Sequence, residues 1–65
     1  MLININTADA IELETLPGVG PSTAAAIVRF RTEQGNFVTI EDLLQVSGIG
    51  PAKFAQMEPY ITVGN

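Results

Sequence analysis

Apolar side chains fall in four short clusters, each bounded by glycine or proline: Pro17, Gly18, Gly20 and Pro21, then Gly35, then Gly48, Gly50 and Pro51, then Pro59. Glycine and proline are the strongest local breaks in a chain, so each cluster reads as one short element. NTADAIELETL places Ile11, Leu13 and Leu16 as apolar positions behind Asn6, an N-cap candidate, with Asp9 three residues on where a carboxylate suits the positive helix end. This predicts a helix from about Thr7 to Thr15. PSTAAAIVRFRTEQ begins with a proline, suited to the first helical position, and repeats Ala24, Ile27, Val28 and Arg31 at helical spacing before Gly35 ends it.

TIEDLLQV puts Thr39 at an N-cap with Asp42 three positions in, a short relative of the capping box. Val38 and Leu43 are expected to form a hydrophobic staple, and the helix to run from about Ile40 to Val46. PAKFAQMEP again opens on proline, should turn Phe54, Ala55 and Met57 inward, and stops at Pro59. Helices this short are marginal alone in water and need packed apolar faces. The terminal stretches Ile3-Asn4-Ile5 and YITV look extended, without obvious partner strands, and are expected to cover the open core.

The chain also repeats itself. An offset of thirty residues pairs Leu13 with Leu43, Leu16 with Val46, Gly18 with Gly48, Val19 with Ile49, Gly20 with Gly50, and Pro21 with Pro51. Ala24 then falls on Phe54 and Ala25 on Ala55, so the following helices share a register. The unit is helix, glycine hairpin, helix, written twice: about 7–34, then about 39–58. The expected architecture is all-α, a single compact domain over 1–65 with four or five short helices.

Composition narrows the chemistry. Sixty-five residues suffice for one modest core and rule out two independent domains, and a 46% hydrophobic content is globular rather than disordered. The absence of cysteine excludes disulfides and thiolate metal sites, and the absence of histidine excludes imidazole chemistry. No apolar run approaches the roughly 20 residues that span a bilayer, so this segment is expected to make no direct membrane contact. The pairs Glu12/Glu14 and Glu41/Asp42 project from different sides of short helices, and no cleft partner accompanies them. Neither an enzyme, nor a metal site, nor a cofactor is expected.

The hairpins themselves suggest an anion site. The first N–H groups of a helix lack internal partners and carry the positive end of the dipole. Gly18, Gly20, Gly48 and Gly50 are expected to supply unusual φ values and to let a phosphate approach without a Cβ in the way. Val19 and Ile49 read as inward pegs. Ser22, Thr23, Ala52 and Lys53 stand in the following first turns, where hydroxyls, an ammonium and backbone N–H groups can donate to phosphate oxygens. Pro21 and Pro51 strengthen the helix starts and delete one donor each. Without a ligand, the same turns would simply connect packed helices.

The formal charge of −4 offers no long-range attraction for a polyanion. On a first helix of about nine residues, roughly 13 Å long, Asp9 would lie more than a Debye length from the hairpin, as would Glu41 and Asp42 on the third helix; Glu14 is the exception. Arg29 and Arg31 read as solubility or pairing residues for Glu33 and neighbouring acids.

LETLPGVGPSTAAAIV and LLQVSGIGPAKFAQM both resemble the helix-hairpin-helix motif, and two in tandem resemble the compact double-motif DNA-binding domain. The opening ININTAD, the RFRTEQGNF between the motifs, TIEDL and the final YITV are similar to the ComEA competence-protein family. The resemblance implies a receptor for double-stranded DNA in natural transformation. It would hold the backbone weakly and without sequence preference, with the two hairpins gripping opposite strands across a minor groove. DNA-facing residues would be Gly18, Val19, Gly20, Ser22, Thr23, Gly48, Ile49, Gly50, Ala52 and Lys53.

It further implies a location at the periplasmic or extracellular face, an export signal or anchor with a linker upstream of Met1, and other uptake-machinery proteins as partners. In some relatives, hairpin carbonyls, here those of Val19 and Ile49, hold a monovalent cation against a phosphate. Low basic content leaves a second reading open: a helix-hairpin-helix protein-interaction or structural module with little or no DNA binding.

Overall fold

Thirteen apolar residues form one continuous core, in which Ile5, Leu13, Ile27, Leu43 and Met57 are wholly buried. The computed structural model describes residues 2–64. In chain order it contains strand β1 (Ile3–Asn4), helix α1 (Ala10–Leu13), helix α2 (Pro21–Gln34), a 3-10 helix (Ile40–Gln45), helix α3 (Pro51–Met57), a 3-10 turn (Glu58–Tyr60) and strand β2 (Ile61–Thr62). The expected all-α architecture of short helices is the one observed.

Helix α2 starts on Pro21 and ends on Gln34 as the sequence predicts, with Gly35 at φ +93° closing it. Helix α1 is shorter than expected. Residues 4–8 form a turn instead, in which the Asn4 carbonyl accepts from Thr7 and Ala8 and the Asn4 side chain accepts from the Asn6 N–H at 2.8 Å. The cap is Asp9, whose carboxylate accepts from the Glu12 N–H at 2.8 Å. A charged acceptor outcompetes an amide at a positive helix end, and Asn6 is engaged elsewhere. Its Nδ2 donates to the carbonyls of Phe37 and Val63, both at 3.0 Å, and its Oδ1 accepts from the Phe37 N–H at 2.7 Å.

Three expectations about burial fail. Ile11 is 78% exposed, because α1 ends before that side of a longer helix could pack. Val38 is 80% exposed, so no staple closes over Leu43; the Asp42 carboxylate instead accepts from the N–H groups of Val38 (2.9 Å) and Thr39 (3.3 Å). Ala55 faces outward and Phe54 is half-buried, leaving Met57 as the core residue of α3. The Ile40–Gln45 segment is 3-10 rather than α, with bonds such as Asp42 N–H to Thr39 carbonyl at 3.1 Å.

The terminal strands find each other. β1 and β2 pair in parallel, Ile3 opposite Ile61 and Asn4 opposite Thr62, and the Ile5 N–H extends the ladder to the Thr62 carbonyl at 2.9 Å. Arg31 fastens this edge to α2 by donating from Nη1 to the Ile5 carbonyl at 2.9 Å. Phe37 is buried and stacks on Phe30, ring centres 5.1 Å apart, which folds the loop after α2 back onto the helix.

Candidate nucleic-acid interface

Both hairpins are built by one set of backbone constraints. Leu16 and Val46 are buried, and their carbonyls accept from the N–H groups of Val19 and Ile49, at 3.1 Å in each copy. Gly18 (φ +76°) and Gly48 (φ +93°) make the reversal, a backbone conformation that side chains with a Cβ rarely adopt. Val19 and Ile49 are 6% and 5% exposed, pegs into the core as the alternation of small and large residues suggests.

The second glycines behave differently from expectation. Gly20 (φ −98°) and Gly50 (φ −103°) are extended, a backbone open to any residue, so unusual φ does not explain them. Their carbonyls start the next helices, accepting from Ala24 and Phe54 at 2.9 Å. A Cβ on either would meet nothing within 4 Å. Nothing intramolecular therefore demands glycine at these positions, and the backbone is bare toward solvent. Pro21 and Pro51 occupy the first helical turns without an N–H, while those of Ser22, Thr23, Ala52 and Lys53 donate to no intramolecular partner among the described residues.

The two units are packed crosswise. The nearest atoms to a Cβ on Gly18 belong to α3: Gln56 Oε1 at 2.8 Å and Lys53 Cγ at 3.5 Å. The nearest to one on Gly48 is Thr23 Oγ1 of α2, at 3.9 Å. The surface grooves repeat the exchange. One of about 530 Å³ sets Gln45, Val46 and Ser47 against Ala26 and Phe30 of α2. A smaller one, about 260 Å³, sets Thr15, Leu16 and Pro17 against Tyr60, the thirty-residue counterpart of Phe30. Each hairpin thus leans on the helix that follows the other, which gathers both turns into one patch. Lys53, grouped by sequence with the second hairpin, reaches the first.

Among the three cations, Arg29 lies 4.0 Å from Glu33 in an exposed pair and Arg31 holds the Ile5 carbonyl. Among the described residues, Lys53 has no carboxylate within 4.0 Å. The acids offer less separation than expected: α1 has four residues, about 6 Å of helix, so Asp9 is nearer the first hairpin than a nine-residue helix would put it. Among the described residues no cluster of carboxylates could hold a metal ion, and no helix is long and apolar enough to cross a membrane. Sequence reasoning missed Gln56, whose place depends on how the units cross.

The family model of the helix-hairpin-helix motif matches residues 1–62. ComE operon protein 1 of Bacillus subtilis is 53% identical over 62 residues, covering 95% of this chain and 30% of that protein. Endonuclease/exonuclease/phosphatase family domain-containing protein 1 of Homo sapiens is 46% identical over 63 residues, covering 97% of this chain and 11% of its own length. An uncharacterised Haemophilus influenzae protein is 51% identical over 51 residues, 77% of this chain and 46% of that one. The chain spans less than half the length of each of these relatives.

Proposed function

Because the chain belongs to the helix-hairpin-helix family, as a domain of the ComEA type, we propose that it binds double-stranded DNA through backbone phosphates at its two hairpins. One observation carries the reading: Gly20 and Gly50, the N-caps of α2 and α3, present bare backbone to solvent at equivalent points of a duplicated turn, where neither φ nor a neighbouring atom requires glycine. A phosphate approaching a backbone N–H does. The donors are the N–H groups of Ser22, Thr23, Ala52 and Lys53, the hydroxyls of Ser22 and Thr23, and the Lys53 ammonium, with Gly18, Val19, Gly48 and Ile49 shaping the turns.

Two like turns suit the two phosphate backbones of a duplex, and contacts of this kind carry no base information. Similarity to ComE operon protein 1 supports a place in DNA uptake during transformation, at the outer face of the membrane. The unit 1–65 acts by binding, and its role requires no catalytic group. With so few cations, affinity should be micromolar or weaker at physiological salt, with a salt slope for roughly two to four phosphates.

Titration against random-sequence duplex at two salt concentrations tests this. Binding that weakens modestly with salt and ignores sequence is expected. No binding at about 20 mM salt, where screening is slight, overturns the reading in favour of a protein-interaction module.

A further inference from the structure

The two hairpins share a backbone but not a covering. Over Gly18 lie the Lys53 stem, with Cγ at 3.5 Å and Cε at 3.9 Å from a Cβ position there, and the Gln56 carboxamide at 2.8 Å. Over Gly48 lies only the Thr23 hydroxyl, at 3.9 Å. The thirty-residue register makes the cause plain: Thr23 corresponds to Lys53, and Ala26 to Gln56. Crosswise packing then delivers the second unit's longer polar side chains to the first unit's turn. Among the described residues Lys53 has neither a carboxylate partner, as Arg29 has, nor a carbonyl partner, as Arg31 has.

We infer that the first hairpin is the dominant phosphate site, served from α3 by the Lys53 ammonium and the Gln56 amide, while the second makes the weaker, neutral contact. This rests on the DNA-binding reading above and adds an inequality that the repeat alone does not contain. The ammonium, one bond beyond Lys53 Cε, stands at the rim of the first turn, where it neutralises a phosphate. Gln56 sets its Oε1 against Gly18, and its Nε2 is the group that would donate to a phosphate, without adding charge. The two residues are therefore distinguishable by salt: one sets the slope, the other only the affinity.

The test is a residue-resolved NMR titration of the 65-residue chain with a short random duplex, alongside affinities at two salt concentrations. K53Q keeps most of the stem on Gly18 and removes the charge. It should weaken binding about tenfold at low salt, lower the salt slope by about one, and shrink the duplex-induced shifts of the Gly18 and Gly20 amides while those of Gly48 and Gly50 persist. Q56A should weaken binding about threefold with the slope unchanged. T23K, which places an ammonium over the second turn, should strengthen binding and steepen the slope by about one, a gain that misfolding cannot mimic.

Equal loss at both hairpins in K53Q, loss confined to Gly48 and Gly50, or no gain in T23K overturns the inequality. A wild-type titration that moves neither pair of glycine amides overturns the DNA reading itself, and the two failures are thereby separated.

Discussion

Glycine appears at four hairpin positions for two different reasons. Gly18 and Gly48 carry positive φ, and a Cβ on Gly18 would also strike Gln56. Gly48→Ala should therefore cost about 1–2 kcal/mol in chemical denaturation. Gly20 and Gly50 are extended and open, so Gly20→Ala should change stability by less than about 1 kcal/mol. The same substitution should weaken duplex binding about tenfold in the titration, because the new methyl occupies the phosphate's approach. Fold and binding should separate at this one residue.

Asn6 is the other residue whose role is larger than its type suggests. Its side chain makes three hydrogen bonds to backbone atoms 31 and 57 residues away. Asn6→Ala removes all three and strands partly buried backbone groups, an expected loss of about 2–3 kcal/mol by urea denaturation. Asn6→Asp keeps only the acceptor and should fall between. Nothing local signals this: an asparagine before a helical stretch reads as a cap, and its distant partners become visible only once the ends and the interhelical loop meet.

Elements were legible where the backbone itself is constrained. Pro21 and Gly35 bracket α2, and the duplicated glycine turn is built as the repeat predicts, since proline and glycine act through their own covalent geometry. Elements settled by competition were not. Two caps contended for α1 and the charged one won; β1 and β2 are two residues each, too short to signal pairing before the core brings them together. The candidate site divides the same way, with its backbone readable and its Lys53 and Gln56 assignment dependent on how the units cross.

Arg31 belongs to this scale, since it ties β1 to α2 through the Ile5 carbonyl. Arg31→Ala should lower stability by about 1–2 kcal/mol and leave duplex affinity unchanged at matched salt. A large loss of affinity would move the binding surface off the hairpins.

The whole molecule measures 25 × 24 × 21 Å, so it can cover no more than about seven base pairs at 3.4 Å of rise each. A small footprint and a net charge of −4 together favour brief, weak contacts over tight ones. With a Debye length near 8 Å at physiological salt, acids on the far side of the molecule are screened from a bound strand, while Glu14, four residues before Gly18, is the acid set closest in sequence to the first hairpin.

Pairing β1 with β2 also makes the polypeptide nearly a ring. Parallel strands only two residues long leave residues 2 and 64 a few residues' span from one another, on the same edge of the core. A short glycine-serine bridge between those ends, with a new opening at the exposed Gly35–Asn36 bond, should yield a permuted chain that folds to the same core. By the same geometry the module can be spliced into a surface loop of a host protein without prying that loop apart.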